Sequence, residues 1–454
     1  MNQQVTLAAS LYSGSYGHPN ICDLLGVKMT CDTFPISYLH KEVILVVDVS
    51  GSMDESIPDV RGSLLAFRDA LVGKSHREMM SLTPIQREDL LKSTVFLTLI
   101  TFSNTAKLIW SSRLSSTTFE AAIENLQAEQ STNMGAGLQL AFDVLTTPDL
   151  AIKSNSVAWI ILMTDGVSNC GNYQRPESFQ ELIKQCPPHT NMITLGYGTE
   201  FDIVTLMEIG SFTYVRNREM IPVIFGSLAS EILTAIGLDG HLEIPSIEPD
   251  LSTDSEIIRP LEVPYQGKVI IGNKKIGTLF SERVFHYGYL PFGDIQNSNF
   301  LKFQDKSVVL RYFSIEQFRE VQIQTQCQSP LNSLEPPYDL KEAYFRASKG
   351  RILSQLYQNL RNHRKILPEI QSKLATWTDP AALEHKEEIL RIIRELSLGG
   401  TDVDDLARYV LTSSVDTRRQ TSYSNRRLQT QNQQQTVRLT QESAQHYIQI
   451  PPDN

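Results

Sequence analysis

No stretch of this 454-residue chain runs to about 18 uninterrupted apolar residues, so no membrane-spanning helix is expected. Cysteine is scarce. The five residues Cys22, Cys31, Cys170, Cys186 and Cys327 form no CxxC pair. An odd, sparse set argues against a disulfide framework and for reduced thiols. The opening residues MNQQVTLAAS lack a basic stretch followed by an apolar one, so no secretory signal is expected. The expected location is cytoplasmic, with a secreted effector lacking a cleavable signal as the alternative. Basic charge is not in excess either: 41 Lys and Arg against 51 Asp and Glu leave a net charge of -10, which argues against a nucleic-acid surface. HExxH, GxSxG and GxxxxGK[ST] are all missing. "CPPH" sets Cys186 and His189 at ligand-like spacing, but two ligands do not make a zinc site, and a buried thiol beside a loop histidine is the plainer reading.

What is present is ordinary globular material, 41% hydrophobic and 20% charged, in a chain long enough for about two to four domains. Between residues 43 and 237, strand-like runs (VILVVDV, VFLTLITF, VAWIILMTD, MITLGYG) alternate with helical patterns near 59–73, 117–127, 134–146, 176–185, 202–209 and 219–236. That alternation predicts right-handed crossovers and a mostly parallel, doubly wound sheet covered on both faces. Residues 74–94 read as a polar insertion with its own short helix. After Gly240 the pattern changes to prolines and short strand-like runs (KVIIGN, KKIGTLF, RVFHYGYL, SVVLRYF, VQIQTQC), which predict an antiparallel β-sandwich. The arm with VTLAASLY and VKMTCDTF has the same look and is expected to join it. Residues beyond Pro337 read as helices, with a start expected at TDVDDLARYVLTS. The last 42 residues hold nine glutamines and are expected to be flexible. The expected organisation is therefore a 1–40 β arm, a 41–238 Rossmann-like α/β domain inserted in the sandwich, a 239–335 sandwich, a 336–412 helical domain and a 413–454 tail.

The chemistry gathers at "VILVVDVSGSMDES". A buried strand delivers Asp48 to its carboxyl end, where open α/β sheets bind ligands. Ser50 and Ser52 follow at alternate positions around Gly51, which lets the backbone bend. A second strand end brings Asp165 in front of a glycine, and Thr132 lies in a polar loop entering a helix. Each alone has a structural explanation: Asp48 as a cap, the serines as turn residues, "TDG" as a turn. Together Asp48, Ser50, Ser52, Thr132 and Asp165 make an oxygen-only set, which suits a hard divalent cation and leaves a coordination position for an outside group.

DVSGS at 48–52, TNMGAGL at 132–138 and TDG at 164–166 resemble the von Willebrand factor type A domain and its metal-ion-dependent adhesion site. "LITFSNTAKLI", "ITLGYGTEFD" and "SFTYVRNREMIPVIFGSLASEIL" resemble later parts of that domain, about 190 residues in all. The resemblance implies a Mg²⁺ site, with Mn²⁺ or Ca²⁺ as substitutes, on those five residues. It implies that the serines touch the metal directly, the aspartates often act through water, and a protein partner supplies an Asp or Glu. The remainder resembles more weakly proteins that join this domain to a β region and helices. Some plant RING-type ubiquitin ligases are among them, though RING ligands are missing here. In architecture alone it is similar to the inner-shell proteins of the COPII coat.

The expected function is therefore a metal-dependent protein-interaction module, not an enzyme. The alternatives are a Mg-dependent phosphoryl-transfer enzyme and a metal-independent, coat-like scaffold. Against the first, position 50 is serine where a dehalogenase-type phosphatase has its second aspartate, and its downstream lysine has no match. The partner's identity and the oligomeric state are not encoded legibly.

Overall fold

The computed structural model describes residues 5–13, 23–31, 41–129, 131–147, 157–198, 201–215, 220–243, 273–280, 284–289, 307–328, 338–358, 363–398 and 431–448. In chain order the strands are β1 (Val5–Ser13), β2 (Asp23–Cys31), β3 (Lys41–Asp48), β4 (Phe96–Phe102), β5 (Ala106–Ser111), β6 (Val157–Thr164), β7 (Thr190–Tyr197), β8 (Ser211–Val215), β9 (Ala235–Glu243), β10 (Asn273–Phe280), β11 (Val284–Tyr289), β12 (Ser307–Ser314) and β13 (Arg319–Gln328). The helices are α1 (Ile57–Leu71), α2 (His76–Met80), α3 (Pro84–Thr94), α4 (Phe119–Glu124), α5 (Met134–Thr146), α6 (Pro176–Ile183), α7 (Ile203–Ile209), α8 (Met220–Thr234), α9 (Tyr338–Gln358), α10 (His363–Ala375), α11 (Pro380–Leu398) and α12 (Gln431–Tyr447). The chain divides into two compact units. One comprises Met1–Phe34, Ile236–Ser314 and Arg319–Thr421; the other comprises Pro35–Ala235, Ile315–Phe318 and Ser422–Asn454.

The second unit is an α/β layer structure on a six-stranded sheet of order β5-β4-β3-β6-β7-β8, parallel except for β5. Every residue of β3 and β6 is buried, as strands covered on both faces require. On one face Met134, Leu138, Ala141 and Phe142 of α5 pack on Ile44, Val46, Ile100, Phe102, Ile160 and Leu162. Lys41 opens β3 from a buried position, and its Nζ donates to the carbonyls of Ile232 and Leu233 at 2.7 and 2.9 Å, filling acceptors left open at the end of α8. Burial pulls its amine down to about 7.

The 74–94 insertion contains two helices rather than one. Each starts with a capping box, Ser75 with Glu78 and Thr83 with Gln86. β8 was not marked by the strand pattern, because five residues carry too little alternation to stand out.

A larger correction concerns the tail. Residues 431–447, expected to be flexible, form α12, which packs on α1 and α8 within this unit. Composition misleads here: the glutamines dominate, but Val437, Thr440, Ser443, Ala444 and Ile448 fall on one face and are buried.

The first unit holds a seven-stranded sheet of order β10-β9-β12-β13-β1-β2-β11. β1 and β2 of the arm pair with β13 and β11. The sheet is mixed, because β1 runs parallel to β13. Among the described residues these strands form one sheet and not the two of an antiparallel sandwich. The same unit contains α9, α10 and α11, joined by a core of Phe345, Leu353, Leu356, Ile370, Leu374, Trp377, Ile389 and Ile392. The expected KVIIGN strand (apart from Asn273, in β10), the proline-rich 245–264 segment, the helix start at 401–413 and the tail up to residue 430 lie outside the described residues.

Candidate metal centre

Strands β3 and β6 are neighbours, with Val47 opposite Met163, and end together at Asp48 and Thr164. From β3 the sheet grows one way through β4 and the other way through β6, so the crevice beyond Asp48 lies at a topological switch point. Past Asp48 the backbone stays tied to the sheet by the Val49 N–H on the Phe102 carbonyl at 2.9 Å, then tightens into a 3₁₀ turn over Gly51–Glu55 that leads into α1. The Asp48 carboxylate folds back on that turn. Its Oδ1 accepts the Ser50 N–H at 2.8 Å, and its Oδ2 accepts the Thr164 hydroxyl.

The remaining oxygens form a chain. Ser50 Oγ lies 3.1 Å from Ser52 Oγ, and Ser52 Oγ donates to Asp165 Oδ1 at 2.8 Å. Gly166 sits between Ser52 and Thr132: a Cβ there would lie 3.5 Å from Ser52 Oγ and 3.9 Å from Thr132 Oγ1. Thr132 is held by its backbone. Its N–H donates to Asn169 Oδ1 at 2.9 Å, and its carbonyl accepts the Asn169 N–H at 2.9 Å. The next residue, Asn133, caps α5 by accepting from the Ala136 N–H at 3.1 Å. The structure therefore brings together all five residues singled out in the sequence, from three separate loops.

Asp48 is wholly buried and Asp165 nearly so, at 8% exposure. Burial pushes the Asp48 carboxyl up to about 6; the Thr164 and Ser50 hydrogen bonds oppose this, and the charge of Asp165 adds to it. Two buried carboxylates beside the Ser50 and Ser52 hydroxyls concentrate negative charge that a cation would offset. The spacing also suits an ion. The 3.1 and 2.8 Å oxygen separations bracket the ~2.9 Å edge of an octahedron whose metal–oxygen bonds are about 2.0–2.1 Å. The donors are hard oxygens throughout, which suits a hard divalent cation.

Among the described residues no group of three or more His, Cys, Asp and Glu side chains converges on a possible metal site. The Cys186 thiol is half-buried and pushed up to about 11 by that burial.

Sequence reasoning did not assign roles to Thr164 and Asn169. Thr164 orients Asp48 and Asn169 clamps Thr132. The only sequence signal for Thr164 was its place before Asp165. Asn169 gave none, because its contact crosses 37 residues.

Comparison with known proteins bears on this unit most directly. Residues 43–167 match the sequence profile of the von Willebrand factor type A domain. A protein of Escherichia coli K12, YfbK, described as uncharacterized, is 27% identical over 231 residues, covering 49% of this chain and 36% of its own length. The chain thus spans about a third of that relative. A von Willebrand factor type A protein from Catenulispora acidiphila superposes with a TM-score of 0.55 at 15% identity, over 90% of this chain and 97% of its own, a likeness of fold. The ArnB paralog VWA2 of Sulfolobus acidocaldarius gives a TM-score of 0.48 at 13% identity, over 91% and 99% of the two chains.

Proposed function

We propose, on the premise that this chain carries a von Willebrand factor type A domain, that it is a metal-dependent protein-interaction module. Such domains are commonly interaction modules and generally not enzymes. Ser50, Ser52 and Thr132 hold a divalent cation, Mg²⁺ by abundance, while Asp48 and Asp165 balance its charge directly or through water. Bound there, the cation supplies a Lewis-acidic position for a carboxylate from a partner's Asp or Glu. The loops after residues 48, 131 and 165, with 169–175, form the contact face. Val167, 46% exposed one residue beyond Gly166, offers that face an apolar contact.

The observation that carries this reading is the run of oxygens from Ser50 through Ser52 to Asp165 at octahedral-edge spacing, backed by a buried carboxylate. The test is Mn²⁺ binding to the full chain, read by electron paramagnetic resonance, followed by capture of partners from lysate in Mg²⁺ and in EDTA. Saturable binding at one site, lost in Asp48→Ala plus Ser50→Ala along with the captured partner, is the expected result. A folded double variant that still binds Mn²⁺ at one site overturns the ligand assignment.

One observation favours a metal-independent scaffold instead. The polar groups satisfy each other, Asp48 with Thr164 and Ser50, Asp165 with Ser52. Partners that survive both EDTA and the double substitution would establish that reading.

A further inference from the structure

The face of the α/β unit formed by α1 and α8 is shaped for a third helix. Gly62 in α1 and Gly226 in α8 both sit inside helices, where glycine weakens the helix. Each marks a close approach. A Cβ at Gly62 would lie 2.5 Å from Ile448 Cγ1 and 3.1 Å from the Tyr447 carbonyl oxygen; at Gly226 it would lie 2.6 Å from Val437 Cα and 2.7 Å from Thr440 Oγ1. The floor is polar and specific. Arg68 and Asp69 are buried side by side, paired at 2.6 Å. Asp69 Oδ2 accepts the Ser443 hydroxyl at 2.9 Å, and Arg68 Nη2 donates to Tyr447 Oη at 3.0 Å. Residues 443 and 447 are one helical turn apart, so the two floor groups read one face of α12. At the rim His76 of α2 stacks on His446 at 4.2 Å and meets Tyr447 edge-on at 4.8 Å.

Other features mark the occupant as separable. It belongs to the α/β unit, yet the chain before it, up to Thr421, belongs to the other. Its buried face is mostly small or hydroxylic (Thr440, Ser443, Ala444), with Val437 and Ile448 the larger aliphatic side chains. Thr440 satisfies its own hydroxyl on the Thr436 carbonyl at 2.8 Å and carries that pairing with it, while the Ser443 and Tyr447 hydroxyls exchange protein partners for water on release.

We propose that the α1/α8 groove is a binding site for a short amphipathic helix, and that residues 431–448 are its tethered, releasable ligand. A purely apolar helix would leave Asp69 Oδ2 without its Ser443 donor and Arg68 Nη2 without its Tyr447 acceptor, so the site selects a hydroxyl at the Ser443 position and a phenol at the Tyr447 position.

The test uses the full chain with Val437→Asp and Ala444→Asp, which expel the helix and leave the groove intact. A labelled peptide of residues 429–450 is titrated and followed by fluorescence anisotropy, while hydrogen–deuterium exchange monitors 431–448 and β3. Expected are fast exchange at 431–448 with β3 still protected, saturable binding of the peptide, and at least tenfold weaker binding of a Ser443→Ala, Tyr447→Phe peptide. In the wild-type chain, 431–448 should exchange faster than β3. Loss of protection in β3 of the variant, or equal exchange of both segments in the wild type, makes the helix an integral part of the unit and overturns the proposal. Absence of peptide binding to a folded variant overturns it too. A wild-type dimer dispersed by the same substitutions makes a second copy's helix the occupant and overturns the tethered arrangement.

Discussion

Glu42 offers a sharp test of the physics of the α/β unit. It sits one residue into β3, 2% exposed, with the Arg113 guanidinium 3.7 Å from Oε2 and no hydrogen bond to that oxygen among the described residues. Burial pushes its carboxyl up from an ordinary 4.5 to about 7, against the pull of Arg113. The folded state therefore keeps a proton that the unfolded chain releases, and stability falls as pH rises from about 4.5 to about 7. At one tenfold step in proton affinity per 1.4 kcal/mol, the cost of ionising Glu42 in place reaches about 3 kcal/mol above pH 7. Glu42→Gln removes the titration and nearly keeps the shape. The variant's stability relative to wild type should be flat below pH 4.5, climb by about 2–3 kcal/mol through the window and be flat again above pH 7.5. Urea unfolding at several pH values, following the α/β transition, measures this. Arg113→Met should extend the wild-type window upward, since it removes the charge that favours the carboxylate. A variant less stable than wild type at pH 8 and equal to it at pH 4.5 would refute the reasoning, and would mean that Glu42 is ionised and stabilised by Arg113.

Three further outcomes follow from the same structure. Mg²⁺ or Mn²⁺ at a hundredfold excess over its Kd should stabilise the α/β unit by about 2.7 kcal/mol in a thermal melt, and EDTA or Asp48→Ala plus Ser50→Ala should abolish the gain. Gly137→Ala should cost about 1–3 kcal/mol by urea unfolding, because its Cβ would lie 2.8 Å from the Phe102 ring and 3.0 Å from Val46 Cγ1. Phe345→Ala, emptying a side chain 1% exposed and 5.2 Å from the Trp377 ring, should cost the other unit about 3–5 kcal/mol, visible as a separate early transition in calorimetry.

Much of the site was legible because its signals are local. A strand buried on both faces must be apolar throughout, so VILVVDV announced where Asp48 would emerge. The alternate serines around Gly51 and the glycine after Asp165 follow from the backbone turns that aim them. The capping boxes at Ser75 and Thr83 are likewise short-range chemistry, written within four residues. Tertiary structure decided whatever depends on partners far away in sequence. Thr164 matters because β6 happens to lie beside β3, and Asn169 because its loop reaches Thr132. The parallel pairing of β1 with β13 depends on register between segments more than 300 residues apart, where no local period can specify direction. The C-terminal helix is the clearest case. Its glutamines say solvent, and in isolation a helix of 17 residues is marginal in water. Only the groove supplied by Gly62, Gly226 and the Arg68–Asp69 pair gives its thin buried face somewhere to go.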